Sequence, residues 1–302
     1  MSDDFESWLS GREGDCGAGE GELPSGVIVG GYRIVALLGR GGFADVYRAE
    51  GQAEGPVAIK MLHRLDDKSR ARFFRESKIL SQVNHRNFPR LLGQGSFGDR
   101  PYLVIEFLRG FELPRGDRSC AKFLREMINA TSTLHELGYV HRDIKPGNIL
   151  SRNDGTPVLI DFGLAAPISA GEREREGLSV EEGRNVAVGT IGYSAPEQFS
   201  GLAVGREADV HSIGMLIGAC FPGKMPKCWR RIYLASTTSN PKARYRTTGE
   251  LMKAIDMRHW RGIVYAALIL IGIFALVLLC KEVIMWYNDR HVTVYRFVER
   301  EI

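Results

Sequence analysis

Apolar residues alternate with polar ones, or gather in short blocks, through the first third of the chain. Through most of the remainder they recur at three- and four-residue spacing. Tyr32-Arg33-Ile34-Val35-Ala36-Leu37-Leu38, Asp45-Val46-Tyr47-Arg48-Ala49 and Pro56-Val57-Ala58-Ile59-Lys60-Met61-Leu62 have the length and residue types of strands, and the apolar run over 101–108 predicts another. Residues 70–83 place Phe73, Phe74, Ile79 and Leu80 among charges, as an amphipathic helix does. Beyond Gly110 the predicted elements are helices over 120–137, 209–221, 229–236 and 247–255. Strands followed by helices predict an α+β fold with a small β-rich lobe on a larger helical one. No internal repeat is visible.

Two segments depart from this pattern. Residues 262–280 contain no charge; as a helix they extend about 28 Å, close to a bilayer's hydrocarbon thickness of roughly 30 Å. Trp260 precedes the run and Trp286 and Tyr287 follow it, where interfacial aromatics sit. Arg258, His259 and Arg261 crowd its N-terminal side, while Lys281 is offset by Glu282, so the N-terminal side is expected in the cytoplasm. The expectation is a juxtamembrane and transmembrane segment over 257–287, a single pass through the cell membrane, and a short extracytoplasmic tail over 288–302, too short for a folded sensor. GxxxG spacing is absent, so no helix-dimer face is assigned. At the other end, residues 1–31 carry Asp3, Asp4, Glu6, Asp15, Glu20 and Glu22 against Arg12, with recurrent glycine. That composition predicts a disordered acidic tail and no signal peptide. The mixed-charge run over 171–177 reads as a solvated loop.

Composition adds limits. With 302 residues, 44% hydrophobic and 25% charged, the chain can build one two-lobed domain or two small ones. A net charge of +4 gives no ground for a nucleic-acid partner. Cys16, Cys120, Cys220, Cys228 and Cys280 are scattered without metal-ligand spacing, as reduced cytosolic thiols are.

The chemistry lies in short motifs. Gly39-Arg40-Gly41-Gly42-Phe43-Ala44 falls between two predicted strands, where glycine lets backbone N–H groups approach phosphates. Lys60 ends the apolar run Val57-Ala58-Ile59, and a lysine there needs a counter-charge, which Glu76 on the next helix supplies. His141-Arg142-Asp143-Ile144-Lys145-Pro146-Gly147-Asn148 concentrates a carboxylate, cations and an amide. Asp161 then ends the strand Val158-Leu159-Ile160, before Phe162-Gly163, and two oxygen ligands beside phosphates suit Mg²⁺.

With these motifs in this order, and with Ser194-Ala195-Pro196-Glu197 after them, residues 32–256 resemble the protein-kinase superfamily, in its bacterial, eukaryotic-like serine/threonine branch. The resemblance implies a bilobal protein-kinase fold, with an N-lobe over 32–108 and a C-lobe over 109–256. It implies ATP and Mg²⁺ as cofactors and serine or threonine hydroxyls of proteins as substrates. By the same resemblance Gly39, Arg40, Gly41, Gly42, Phe43 and Ala44 cover the phosphates, and Val46 and Ala58 line the adenine site. The backbone at Glu106 to Leu108 meets the adenine edge behind a gatekeeper Ile105. Lys60, paired with Glu76, holds the α and β phosphates; Asp143 accepts the hydroxyl proton; Lys145 steadies the γ-phosphate; Asn148 and Asp161 bind Mg²⁺. Arg142 implies control by activation-segment phosphorylation, with Ser169, Ser179 and Thr190 as candidate phosphosites and Thr190 the better suited to ordering the substrate loop. A homodimer would let one copy phosphorylate another. The competing reading is a membrane-anchored pseudokinase scaffold.

Two departures from the family pattern stand out. Ala44 replaces the third loop glycine. Between the helix that Asp209-Val210-His211-Ser212 begins and Arg244, the expected partner of Glu197, the stretch from Phe221 to Trp229 is short and lacks roughly one helix. Its Lys224, Lys227, Arg230 and Arg231 read as solvated surface, with anionic lipid as the sharper alternative.

Overall fold

The computed structural model describes residues 22–51, 55–168, 190, 192–199, 204–258 and 260–298. Strands β1 (Ile28–Val29), β2 (Tyr32–Arg40), β3 (Ala44–Glu50), β4 (Pro56–Leu62), β5 (Leu91–Phe97) and β6 (Arg100–Glu106) form an antiparallel sheet in the order β1-β2-β3-β4-β6-β5. Successive strand residues face opposite sides. In β4, Val57, Ile59 and Met61 therefore join Ile34, Tyr47 and Val104 in one apolar core, whereas Leu62 packs with Phe73 and Leu103 on the side of helix α1 (Asp67–Gln82). Lys60 shares that second side with Ala58 and Leu62.

The tail expected through Gly31 is corrected for residues 22–31. Leu23 is buried and its N–H donates to Tyr47 Oη at 3.1 Å, and β1 pairs with β2. The glycines that read as disorder make the reversal: Gly30 and Gly31 have φ of 55° and 80°, a region glycine enters without strain. Strand β5, Leu91-Leu92-Gly93-Gln94-Gly95-Ser96-Phe97, had no strand signature because of its glycines. At Gly95 an added Cβ would meet Tyr102 Oη at 2.6 Å, so the glycine makes room for that ring.

The second lobe is built on α2 (Asp117–Glu136) and α3 (Arg206–Cys220), with α4 (Lys227–Thr237) and α5 (Thr248–Asp256). Small strands carry its loops: β9 (Ile149–Ser151) lies between β7 (Arg109–Gly110) and β10 (Pro157–Leu159), and β8 (Tyr139–Val140) pairs with β11 (Ala166–Pro167). Residues 221–226 alone connect α3 to α4, so the short stretch seen in the sequence does lack a helix. The two helices pack closely: a Cβ on Gly214 would sit 2.6 Å from Ser236 Cβ.

The chain divides into two units, one ending at Lys253 and the other beginning at Ala254. The second contains α6 (Trp260–Val298), within which Ala266–Tyr287 is long and apolar enough to cross a membrane. This stretch starts and ends later than the run expected over 262–280. No glycine or proline stops the helix after Cys280, and Lys281 and Glu282 are carried within it.

Candidate active site

Glu76 lies one turn from both Phe73 and Leu80 on the buried face of α1, so the packing of that face aims the carboxylate inward. Asp66 caps the helix, accepting from Ser69 N at 3.0 Å and Ser69 Oγ at 2.7 Å. Lys60 Nζ meets Glu76 Oε2 at 2.6 Å and Asp161 Oδ1 at 3.2 Å. Burial works against the lysine's charge, but the two carboxylates prevail and hold its pKa above the ordinary lysine range. Burial, reinforced by Asp161, lifts Glu76 above the usual carboxylate range. Asp161 is held below that range chiefly by Lys60.

Above this cluster lies the turn between β2 and β3. Gly41 N donates to Ala44 O at 2.9 Å, and a Cβ on Gly41 would come within 3.0 Å of that oxygen. Arg40 Nε is held by Asp45 Oδ1 at 3.1 Å. The Phe43 ring lies 5.4 Å from Lys60 Nζ, and a Cβ on Gly163 would come within 3.2 Å of that ring, a tight approach. Ala44 is buried and extends β3, so the departure from glycine fits a strand position.

The loop between β8 and β9 supplies the second group. Lys145 Nζ lies 2.7 Å from Asp143 Oδ2 and donates to Thr190 Oγ1 at 2.6 Å, and Thr190 Oγ1 donates to Asp143 Oδ1 at 2.9 Å. Asn148 Nδ2 donates to Asp143 O and Oδ2, both at 2.8 Å. The β9–β10 register sets Asn148 beside the end of β10, where Ile160 N donates to Asn148 O at 2.9 Å. Two residues of this region, Arg142 (φ 70°) and Asp161 (φ 64°), hold left-handed backbone, a strain of about 1–3 kcal/mol each.

Further buried residues, to which the sequence assigned no catalytic or binding role, brace this geometry. Asp209 Oδ2 accepts from His141 N at 2.9 Å and bonds His135 Nε2 at 2.8 Å, and Asp209 Oδ1 accepts from Arg142 N at 2.9 Å. Burial opposes the Asp209 charge, but the His135 hydrogen bond and neighbouring histidines keep its pKa low. The signal that points to it is Asp209-Val210-His211-Ser212, which the sequence offered only as the start of a helix. Phe162 stacks on Phe88 at 5.1 Å and meets the His141 ring at 5.0 Å. Glu197 and Arg244, both buried, pair through two bonds of 2.6 and 2.8 Å.

Val46, Ala58, Ile105 and Leu108 come from β3, β4, β6 and the segment after β6, with Ala58 opposite Ile105 in the sheet. Glu106 N is already bonded to Arg90 O at 3.0 Å, and its carboxylate is gripped by Arg152, which also bonds the carbonyls of Arg86 and Phe88. Arg152 lies in none of the sequence motifs. A cavity of about 750 Å³ lined by Arg48, Val57, Glu106 and Phe107 contains none of the catalytic candidates, since Val57 faces away from Ala58. Ser169 and Ser179 lie outside the described residues.

The donor set suits magnesium. Asn148 spends its amide nitrogen on Asp143, which leaves its side-chain oxygen free of that bond, and Asp161 is 38% exposed to the cleft. Mg²⁺ takes one or two protein oxygens and completes its shell with phosphates and water.

The protein kinase domain model matches residues 32–266. The chain is similar to the probable serine/threonine-protein kinase PknB of Lactococcus lactis, 31% identical over 65% of this chain and 32% of that protein. It is also similar to the DNA damage-responsive serine/threonine-protein kinase RqkA of Deinococcus radiodurans, 34% identical over 67% of this chain and 31% of RqkA. With the serine/threonine-protein kinase PknL of Mycobacterium tuberculosis it shares 30% identity over 68% of this chain and 52% of PknL. The chain thus spans about a third of the length of the first two.

Proposed function

Because the chain belongs to the protein kinase family, in its bacterial eukaryotic-like branch, we propose that it transfers the γ-phosphate of ATP to serine and threonine hydroxyls of proteins. The observation that carries this reading is the shared grip of Asp143 and Lys145 on one hydroxyl, that of Thr190, with bonds of 2.9 and 2.6 Å. A substrate hydroxyl brought to the same carboxylate would give up its proton to Asp143. Its oxygen then bonds to the γ-phosphorus, the bond from that phosphorus to the β–γ bridging oxygen breaks, and ADP leaves with the electron pair. Lys145 balances charge at the transferred group, and Lys60, fixed by Glu76, holds the α and β phosphates. Asn148 and Asp161 would hold Mg²⁺, which neutralises phosphate charge when bound. Asp209 and its partners keep the loop backbone in place, so little reorganisation is needed during transfer.

Autophosphorylation at Ser169 or Ser179 belongs to the same proposal, with Thr190 ordering the substrate loop. We further propose that α6 crosses the cell membrane once with the kinase domain in the cytoplasm, which favours membrane-associated substrates. The apolar length of Ala266–Tyr287 and the cations Arg258 and Arg261 support this. The test is phosphotransfer from ATP to a generic basic protein by the full chain and by Asp143→Asn, with phosphosite mapping. Loss of the base should lower the rate by about 10² to 10⁴-fold. Equal rates in the two proteins would defeat the catalytic reading and leave a scaffold.

A further inference from the structure

From Phe221 to Gly249 the chain contains no acidic residue. Its one buried cation, Arg244, is consumed by Glu197. Lys224, Lys227, Arg230, Arg231, Lys242 and Arg246 are exposed, and none of these side chains makes an ion pair among the described residues. Four outward positions of α4 fall at i, i+3, i+4 and i+7: Lys227, Arg230, Arg231 and Leu234, the last 55% exposed. Such spacing is one stripe of a helix. The inner face is fixed by Trp229, Ile232 and Ser236, and Trp229 Nε1 donates to Asp117 Oδ1 at 2.6 Å, so the stripe cannot turn inward. The short 221–226 connection supplies no helix to cover it.

We propose that this stripe docks on anionic phospholipid headgroups at the membrane surface. The inference rests on the reading that α6 enters a bilayer. Three cations around an exposed leucine suit an interfacial helix, with the leucine at the headgroup boundary and the cations among phosphates. The chain itself favours this occupant over a free acidic protein. Helix α5 ends at Asp256 and α6 begins at Trp260, so the intervening backbone spans at most roughly 14 Å. A bilayer entered by α6 is therefore held permanently at high effective concentration. Each cation close to an anionic leaflet strengthens the association roughly fivefold.

The test places the full chain in nanodiscs of phosphatidylcholine alone, or of an equal mixture with phosphatidylglycerol, and follows lysine acetylation by mass spectrometry. Lys224 and Lys227 should react about fivefold more slowly, or less, in the anionic discs. High salt should restore their rates, while the exposed Lys68 and Lys78 of α1 should react equally in both lipids. Arg230→Glu combined with Arg231→Glu should remove the protection and leave phosphotransfer to a soluble substrate unchanged. Equal reactivity of Lys224 and Lys227 in the two lipids, with the chain incorporated in both, overturns the docking proposal and leaves the spanning helix standing. Failure to incorporate in either lipid overturns the spanning helix as well. Protection by an added polyglutamate peptide in neutral discs, without protection by phosphatidylglycerol, reassigns the stripe to an acidic protein and also overturns the proposal.

Discussion

Asp209 carries two backbone N–H groups and a histidine on one buried carboxylate, and through them it fixes a loop whose Arg142 has left-handed backbone. In Asp209→Asn, an amide group must turn toward one of these donors. Unfolding free energy should fall by about 1–3 kcal/mol in urea titration, and kcat should fall more than ATP affinity. Unchanged stability and kcat would mean that the loop holds itself. His141, packed against Phe162, gives a pH signature: burial pushes its imidazole below the ordinary value of 6.5. The unfolded chain accepts a proton that the folded one refuses, so this contribution is complete above pH 6.5 and is lost as pH falls below it toward the folded value. The melting temperature should decline on acidification from about 7.5 to about 5.5, and a flat profile would contradict the assignment. Lys60, Asp143, Asn148 and Asp161 were legible because each sits in a short motif whose residue types state their chemistry. Arg152 was not named and Asp209 was read only as a helix start, because their partners lie far away in sequence and only the folded chain brings them together.

Among the elements, legibility followed the strength of the periodic pattern. Strands β2, β3, β4 and β6 and helices α1 to α5 were recognised with ends displaced by a few residues. Capping accounts for one displacement: Asp66 starts α1 at Asp67, ahead of its first apolar turn. Strands β1 and β5 were missed because glycine, serving a turn at Gly30 and a tight approach to Tyr102 at Gly95, hides a strand's composition. The Glu197–Arg244 pair was anticipated, and it ties the segment before α3 to the turn before α5. Arg244→Met removes both guanidinium bonds from the buried carboxylate of Glu197. Destabilisation of about 3–5 kcal/mol is expected from chemical denaturation; a loss under about 1 kcal/mol would mean that water or another cation replaces the arginine.

At the scale of the molecule, the cleft exists only because separate elements converge. Lys60 comes from β4, Glu76 from α1, Asp143 and Asn148 from the loop before β9, and Asp161 from the segment just after β10. The order of motifs along the chain conveyed the two-lobed plan, but the braces that hold the lobes' loops arise from long-range packing. Phe162 against Phe88 and Arg152 against Glu106 are of that kind. The chemistry depends on this convergence producing a site for a metal-bound nucleotide. Calorimetric titration of the full chain with ATP, with and without Mg²⁺, tests it most directly. Binding should strengthen when Mg²⁺ is added, and Asp161→Asn should remove most of that gain while the protein stays folded. A folded wild-type chain that fails to bind ATP in the presence of Mg²⁺ would contradict the assignment of this cleft.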